Sequence, residues 1–355
     1  MLFFRAVAPS NLSKSATRCR RFWAVASLNV CWRLTRAPER PSPTQQRPAW
    51  NCCVPFEPEA IIGEVLGRRA QAGADPASQG FECPFIASRC PKRSTNLPDQ
   101  PYPVCTVWRA GDGRRDPRDN LIFVCPKRFY AIDFLTDVIE HCWHGEKPRN
   151  PMVAPEVKMA GFGNVDFVIA DVDESGNIGR FLSVELQAID ITGSVFPAYR
   201  ALLDGKSLEK KPTFGLNWDN VYKRYITQLI RKGYFHHHWG SKIVAVIPDQ
   251  VYRYIINRAD FMRSEDVKNP NVNVIFMTYR LEDDPHRPGE FRPALVTVEG
   301  TSHASLQNAI LYKEPPPRAD FCSQIGRSLV RAVNLADLIR ANAGRSAPDG
   351  GDPEP

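Results

Sequence analysis

Long hydrophobic runs, internal repeats and the familiar nucleophile motifs are missing from this 355-residue chain. No apolar stretch approaches the roughly 18 residues that a membrane-spanning helix needs, which argues against a membrane protein. No nucleophile turn of the Gly-x-Ser-x-Gly kind is present, so nothing indicates a serine or cysteine hydrolase. Gly205-Lys206-Ser207 ends like a phosphate-binding loop, but Arg200 stands where that loop requires its first glycine.

Acidic residues are scarce at the N-terminus. Residues 1–50 contain nine Lys and Arg and the single acid Glu39, so their net charge is +8. The formal net charge of the whole chain is +7, which leaves −1 for the remaining residues. The basic pI therefore does not show by itself that the folded body binds nucleic acid. We expect 1–54 to be a disordered basic arm. It could be a transit peptide or a DNA-binding arm, but we favour an extension that results from a start codon placed too far upstream. We expect 346–355 to be a disordered tail.

Strand and helix patterns alternate from about Pro55 onward. Runs rich in β-branched residues predict strands, and apolar residues at helical spacing predict amphipathic helices. The predicted helices cover 57–70, 129–143, 220–234, 250–256 and 323–341, and the predicted later strands cover 242–248, 273–281 and 294–299. We expect 193–216 to be rich in loops. The pattern indicates an α/β fold, with an α+β mixed sheet flanked by helices.

The stretch from Gly163 to Ser194 predicts two adjacent strands with acids on one face. Asp166 lies in the first strand, and Glu185 and Gln187 share a face of the second, because side chains two positions apart point the same way. If these strands pair, Asp166 lies beside Glu185. Two carboxylates among apolar neighbours need neutralisation, and Mg²⁺ takes carboxylate oxygens as ligands. The pattern is that of a metal-dependent nuclease, with a polar-faced edge hairpin as the alternative.

The third position of this pattern is Gln187, where lysine is commoner. A bound metal would polarise the scissile phosphate and lower the pKa of a bound water. Gln187 can orient that water or a carboxylate, but it carries no positive charge.

The ten cysteines are many for a chain with an ordinary hydrophobic content. Four stand in loop-like settings with 6, 14 and 19 intervening residues, and these are Cys83, Cys90, Cys105 and Cys125. Four thiolates suit Zn²⁺ or a single iron, although the spacing lacks a Cys-x₂-Cys pair, and buried thiols are the alternative. We expect Cys142 and Cys322 to be core residues, and the protein to be cytoplasmic, because free thiols fit a reducing compartment.

Several of these motifs, taken in one order, resemble the NotI family of type II restriction endonucleases. The resemblance runs from about Cys83 to about Ile256. It includes the four cysteine segments, Asp166-Phe167, Val184 to Ser194, Asn220 to Arg224 and Ile247 to Tyr252. Motifs in a shared order are more specific than any one of them.

The resemblance implies a PD-(D/E)xK core in which Asp166, Glu185 and Gln187 are catalytic and the two acids bind Mg²⁺. The additional upstream glutamate of the family is assigned to Glu156. Iron is the family's metal at the four cysteines, so a structural Fe or Zn ion is expected there. The domains are then a four-cysteine subdomain at 55–130 and a nuclease core with recognition elements at 131–345.

The resemblance also implies a homodimer that cuts both strands of a palindromic, GC-rich DNA duplex, because two-fold protein symmetry matches two-fold DNA symmetry. The candidate DNA contacts are Lys223, Arg224, Arg93 and Arg115, since Arg and Lys bind phosphates and guanine. A solvated helix face accounts equally well for Lys223 and Arg224, and a solvated loop is the favoured interpretation of Arg115 taken alone. A neighbouring methyltransferase gene would support restriction. The rival functions are a DNA-binding protein with an inactive core, and a repair nuclease that cuts without sequence preference.

Overall fold

The part of the chain described by the computed structural model comprises residues 56–95, 98–109, 120–161, 163–210, 212–312, 314–329 and 334–337. All of these residues belong to one structural unit, Cys53–Pro355. The predicted basic arm and the predicted C-terminal tail lie outside them. None of the helices in these ranges is long and apolar enough to cross a membrane.

Short antiparallel strands form the N-terminal part of the described chain. These strands are β1 (Ile62–Val65), β2 (Arg68–Arg69), β3 (Glu82–Cys83), β4 (Ser88–Arg89), β5 (Val104–Trp108) and β6 (Leu121–Phe123). Four of them form a sheet in the order β2-β1-β5-β6, and β3 and β4 form a separate hairpin. This hairpin carries Cys83 and leads directly to Cys90, so the first two cysteines are brought near each other by local chain geometry.

The predicted helix over 57–70 is wrong. After a 3-10 turn at Pro58–Ala60, the chain forms β1 and β2, joined by a tight turn. In this turn Leu66 and Gly67 have positive φ angles of 49° and 75°, a conformation that glycine adopts readily and that a helix excludes. A Cβ at Gly67 would lie 2.4 Å from the Phe85 ring, so close packing also requires glycine. The apolar run has helical spacing, but β-branched residues and glycine favour the hairpin.

A mixed six-stranded sheet forms the centre of the fold. Its strands are β7 (Pro151–Met159), β8 (Gly163–Val172), β9 (Ile178–Leu186), β12 (Lys242–Pro248), β13 (Val274–Asp283) and β14 (Phe291–Thr301), and a separate two-stranded sheet contains β10 (Ile191–Gly193) and β11 (Phe214–Leu216). The order is β14-β13-β12-β9-β8-β7, and β12 runs parallel to both β9 and β13. The predicted strands over 242–248, 273–281 and 294–299 are confirmed.

Helices cover both faces of this sheet. Helix α1 (Phe134–Cys142) packs on one face, and α4 (Ile226–His238) and α5 (Asp249–Ile256) pack on the other. The remaining helices of the described chain are α2 (Phe196–Leu203), α3 (Trp218–Asn220), α6 (His303–Leu311) and α7 (Arg318–Leu329), with a π-helical segment at Val221–Tyr225 between α3 and α4. The helix predicted at 129–143 begins only at Phe134, after a 3-10 segment at Pro126–Ala131. Asp133 caps its first turn by accepting a 3.1 Å hydrogen bond from the Thr136 N–H.

Two sequence predictions for this part of the fold need correction. The segment 193–216 is not only loop, because it contains α2, whose Ala198, Tyr199 and Leu202 are buried. Cys142 is buried as predicted, whereas Cys322 is exposed on α7, which buries none of its side chains in the described structure. The described part of the helix predicted over 323–341 is therefore helical up to Leu329 but does not contribute to the core.

Side-chain alternation divides the central sheet into two apolar layers. Ala245 of β12 packs in one layer with Leu229 of α4, and Val244 packs in the other layer with Val138 of α1. Burying a Leu or Val side chain stabilises a fold by about 1.5–3 kcal/mol, so both layers hold α4 and α1 firmly on the sheet. Glu185 pairs with Ala245 in the β9–β12 register and therefore points towards the α4 side.

Candidate active site

The β8–β9 pairing brings Asp166 and Glu185 side by side, as the strand pattern predicts. Phe167 pairs with Val184 in this antiparallel register, which places Asp166 opposite Glu185. The Asp166 carboxylate accepts a 2.7 Å hydrogen bond from the backbone N–H of Leu186. Asp166 is thus held against the strand that carries Glu185, and the two acids interact electrostatically.

Glu185 is largely buried, because its side chain is 12% exposed beneath α4. Burial is the largest cause that raises the pKa of its carboxyl to about 7, and the nearby Asp166 charge raises it further. Lys232 opposes this shift through its charge and a hydrogen bond. A carboxylate that is removed from water and placed beside a second acid is a strong candidate for binding a cation.

Lys232 is the site residue that the sequence patterns missed. Its side chain is 3% exposed, and its ammonium group makes an ion pair with Glu185 and donates a 2.7 Å hydrogen bond to the Asn164 carbonyl. The available signal was its helical spacing, because Lys232 follows the buried Tyr225 and Leu229 on the same face of the helix. A lysine on the apolar face of an amphipathic helix needs an acceptor within the fold.

Tyr225 adds a buried hydroxyl to the same helix face. Its ring is 5% exposed, and its hydroxyl has no hydrogen-bond partner among the described residues. Burial raises the pKa of this phenol well above its usual value, and the charges of Glu185 and Asp166 raise it further. Tyr225 ends the π-helical segment, a local widening that often occurs at functional sites.

Gln187 and Glu156 lie at the edges of this arrangement. Gln187 is half-buried, and its side-chain amide donates to the Ala188 carbonyl rather than to either acid. The β7–β8 register pairs the residues that flank Glu156 with those that flank Asp166, so Glu156 lies opposite Asp166 on the outer strand. Glu156 is exposed and has a φ angle of 51°, a strained conformation for a side chain other than glycine. Such strain frequently marks functional positions.

The donor chemistry of Asp166 and Glu185 fits Mg²⁺, which prefers carboxylate oxygens and retains several waters. Among the residues that the structure describes, no group of three or more His, Cys, Asp and Glu side chains is arranged to hold a metal ion. The site therefore offers two close carboxylates, with Glu156 in the adjacent strand but outside a tight cluster.

The four predicted metal-binding cysteines are free thiols around the β3–β4 hairpin and the small sheet. Cys83, Cys90 and Cys105 are buried, and Cys125 is half-buried. Burial is the main cause that raises the pKa of the three buried thiols, and the charge of Cys125 raises each of them as well. Backbone N–H groups donate to these three sulfurs and favour their thiolate forms. Each of the three buried thiols thus lies within electrostatic range of Cys125. No three of the four, all of which the structure describes, are arranged to hold a metal ion, and metal binding stays a prediction.

The three predicted DNA contacts within the described residues lie on the surface. Lys223 and Arg224 are exposed in the π-helical segment, and Lys223 makes a 3.0 Å ion pair with Asp219. Arg93 is exposed and donates to the Cys90 and Lys92 carbonyls at 2.7 and 3.1 Å, which fixes its side chain beside the cysteines. Arg115 lies outside the described residues. None of these side chains contacts Asp166 or Glu185 in the described structure.

Comparison with known families identifies the chain. The family model of the restriction endonuclease NotI matches residues 64–292, more than half of the 355 residues. The chain belongs to the NotI restriction endonuclease family. No curated protein matches it. The matched range is wider than the motifs from Cys83 to Ile256, because it begins at Glu64 and ends at Arg292.

Membership of the NotI family implies a nuclease that acts on double-stranded DNA. The matched range includes both strands that carry Asp166 and Glu185, the helix that carries Lys232, and all four predicted metal-binding cysteines. Restriction endonucleases typically use Mg²⁺, which agrees with the oxygen donors of the two acids.

Proposed function

We propose that this member of the NotI family is a type II restriction endonuclease that hydrolyses both strands of a palindromic, GC-rich DNA site with Mg²⁺. Its active site is a PD-(D/E)xK core formed by Asp166, Glu185 and Gln187. The observation that carries this proposal is the placement of Asp166 beside the largely buried Glu185 on paired strands. Two adjacent acids, one of them largely buried, are best explained in a nuclease family by a shared cation.

Asp166 and Glu185 would hold Mg²⁺, with Glu156 assisting from the adjacent strand. When bound, the metal would polarise the scissile phosphate and lower the pKa of an attacking water. The chain's own contribution is to orient the oxygens. The Leu186 N–H holds Asp166 in position. Gln187 directly follows β9 and would orient the water or a carboxylate once its amide leaves the Ala188 carbonyl.

The four cysteines form a second proposed centre, with a structural role. Cys83, Cys90, Cys105 and Cys125 would bind one Fe or Zn ion and hold a loop-rich segment together. Their mutual electrostatic interactions and the backbone N–H groups around them support this assignment. Metal analysis of the purified protein should find about one ion for each chain, as expected of a four-thiolate site. Replacing Cys125 with serine should release that ion.

DNA binding is assigned to exposed cations near both centres. We propose that Lys223 and Arg224 contact phosphates, and that Arg93 and Arg115 contact guanine or the backbone near the cysteines. The active unit is a homodimer, since one active site for each strand matches the symmetry of a palindrome. A cognate DNA methyltransferase, encoded nearby, would protect the host DNA. We also propose that the enzyme acts in the cytoplasm.

The decisive experiment compares DNA cleavage by the wild type, Asp166→Asn and Glu185→Gln. Phage DNA incubated with the wild type and Mg²⁺ should give discrete bands, and sequencing the fragment ends would give the recognised site. Each substitution removes a metal-binding charge while keeping the side-chain shape, so cleavage should fall by more than about 100-fold. DNA affinity measured by gel shift in Ca²⁺ should change little.

The matched control is Glu174→Gln, which removes an exposed acid from the turn between the same two strands. Its cleavage should equal that of the wild type. A wild-type protein that shifts DNA without nicking it would instead identify a binding protein with an inactive core. Degradation without discrete bands would identify a nuclease without sequence preference.

A further inference from the structure

The nuclease strand lacks a positive charge at the position where the pattern usually has one. Gln187 occupies that position, and its amide is bound to the backbone carbonyl of Ala188. A neutral amide cannot offset the charge of two adjacent carboxylates or of a phosphate. A side-chain cation at an active site built on Asp166 and Glu185 therefore has to come from another element of the fold.

Helix α4 supplies a cation at this place. The Lys232 ammonium group contacts Glu185, the acid that precedes Gln187 by two positions and shares its face of the strand. The second acceptor of Lys232 is the carbonyl of Asn164, two residues before Asp166. Lys232 is thus fixed between the strands that carry the two acids.

A second buried lysine shows what a purely structural contact looks like in this fold. Lys242 is also buried, and its ammonium group donates to the Asn269 and Val272 carbonyls at 2.7 and 2.6 Å. Both of these acceptors are backbone groups that stabilise a loop. Lys232 instead neutralises an ionisable acid within the proposed active site.

The buried hydroxyl of Tyr225 strengthens the case for this helix face. Tyr225 and Lys232 are seven residues apart, so they lie on the same side of the helix. The Tyr225 hydroxyl has no partner among the described residues and interacts electrostatically with Glu185 and Asp166. A buried polar group without a partner is costly in a purely structural position.

We propose that Lys232 is a positioning residue of the nuclease site, which holds Glu185 and supplies from α4 the positive charge that Gln187 lacks. This inference rests on the proposed function. Tyr225 completes the same helix face as a hydrogen-bond donor for a group bound between the acids. The substrate class is the scissile phosphodiester of double-stranded DNA.

The test removes the charge and then returns it on the strand. Lys232→Met should lower kcat on a duplex carrying the recognised site by about 10- to 100-fold, as is typical for residues that orient metal ligands. The Kd for DNA in Ca²⁺ should remain within about twofold of the wild-type value, because the Lys232 side chain is only 3% exposed and its ammonium group is bound to protein acceptors. The double variant Lys232→Met with Gln187→Lys should have a kcat several-fold higher than that of Lys232→Met alone.

Mn²⁺ binding without DNA provides a readout that is independent of cleavage. Electron paramagnetic resonance measures the concentration of free Mn²⁺ and therefore gives its Kd. Lys232→Met should bind Mn²⁺ more tightly than the wild type does, because the ammonium group no longer competes for Glu185. Tighter ion binding together with slower cleavage is a combination that partial unfolding does not produce. Lys242→Met is the control for loss of a buried lysine and should retain the wild-type kcat below its own unfolding temperature.

The outcomes separate this inference from the proposed function. If the wild type cleaves and Lys232→Met cleaves at the same rate, the inference is wrong and the proposed function stands. The inference is also wrong if Lys232→Met and Lys242→Met lose equal activity with unchanged Mn²⁺ affinity. If the wild type cuts no DNA while remaining folded, the proposed function fails and the inference fails with it.

Discussion

Two ion pairs in this protein have similar chemistry and different surroundings. Glu64 of β1 pairs with Arg128 at 2.9 Å, and the two side chains are 0% and 2% exposed. Glu185 of β9 pairs with Lys232 of α4, and here the acid retains 12% exposure. Both pairs lie within the range matched by the NotI family model.

The contacts around each pair explain why one is structural and the other is a candidate functional pair. Arg128 makes two further hydrogen bonds to Glu64 through Nε and one to the carbonyl of Phe291 at 2.5 Å, so it ties the small sheet to β14. The Glu185 pair instead adjoins a second acid, Asp166, which lies directly opposite on the neighbouring strand and raises the pKa of Glu185. Among the described residues, each pair has one buried polar atom without a partner nearby, Arg128 Nη1 at the first pair and the Tyr225 hydroxyl at the second. An ion pair enclosed among fixed partners stabilises a fold, whereas one that adjoins a second carboxylate is available for a cation.

Breaking the Glu64–Arg128 pair should change stability more than any other substitution considered below. Arg128→Met leaves Glu64 buried and uncompensated, so the free energy of unfolding should fall by about 3–5 kcal/mol. Urea denaturation followed by circular dichroism would measure this change. The double variant Glu64→Leu with Arg128→Met should recover much of the loss, because it removes both buried charges. A single variant as stable as the wild type would contradict a structural role for the pair.

At the Glu185–Lys232 pair, we expect a smaller change in the free energy of unfolding, and one of the opposite sign. Burial raises the pKa of Glu185 from 4.5 to about 7, so its contribution to stability falls as the pH rises through this window. At pH 8 in EDTA, Glu185→Gln should therefore have the same free energy of unfolding as the wild type, or one higher by about 1 kcal/mol. The same denaturation experiment measures it. A loss as large as that of Arg128→Met would make both pairs structural and remove the contrast between them.

The third and smallest predicted change in stability concerns His236, which lies one turn after Lys232 on α4 and anchors this helix to β9. Its Nδ1 donates to the Lys232 carbonyl at 2.7 Å, and its Nε2 accepts from the Ser183 hydroxyl at 2.8 Å. Burial lowers the pKa of His236 to about 4, so it stays neutral in the folded protein where the unfolded chain binds a proton. Stability therefore decreases as the pH falls from 6.5 towards 4.

His236→Gln cannot titrate and removes this dependence. Between pH 6 and pH 5, the wild type should lose about 1 kcal/mol of stability relative to this variant. Paired denaturation curves at the two pH values would measure the difference. Parallel losses in both proteins would mean that His236 is protonated in the folded state and does not hold α4 as a neutral side chain.

Local patterns in the sequence were sufficient where each element depends on nearby residues. The strands that carry Asp166 and Glu185 were predictable because short β-branched runs flank a polar turn, and Asp173 closes that turn through hydrogen bonds to Ser175 and Asn177. The helix with Lys232 was predictable from its apolar spacing. The predicted end of this helix at residue 234 was too early, because α4 continues to His238 and the His236 ring is bonded to Ser183.

Other features depended on contacts between distant parts of the chain. The segment 57–70 has helical spacing, but it forms strands because Glu64 pairs with Arg128 and Gly67 packs against Phe85. The role of Glu156 could not be fixed from its neighbours, because its position opposite Asp166 follows from the β7–β8 register. The exposure of Cys322 likewise depends on whether another element covers α7, which its own spacing does not specify.

The alternating elements, the acid pair on neighbouring strands and the likeness to NotI endonucleases are all encoded by residue type and short spacing. Which charges meet depends instead on the packing of the folded chain. Lys232 is 47 residues from Glu185, and Arg128 is 64 residues from Glu64. Such pairings depend on how α4 packs on the central sheet and how β1 pairs with β5, and neither arrangement is specified by the residues on either side.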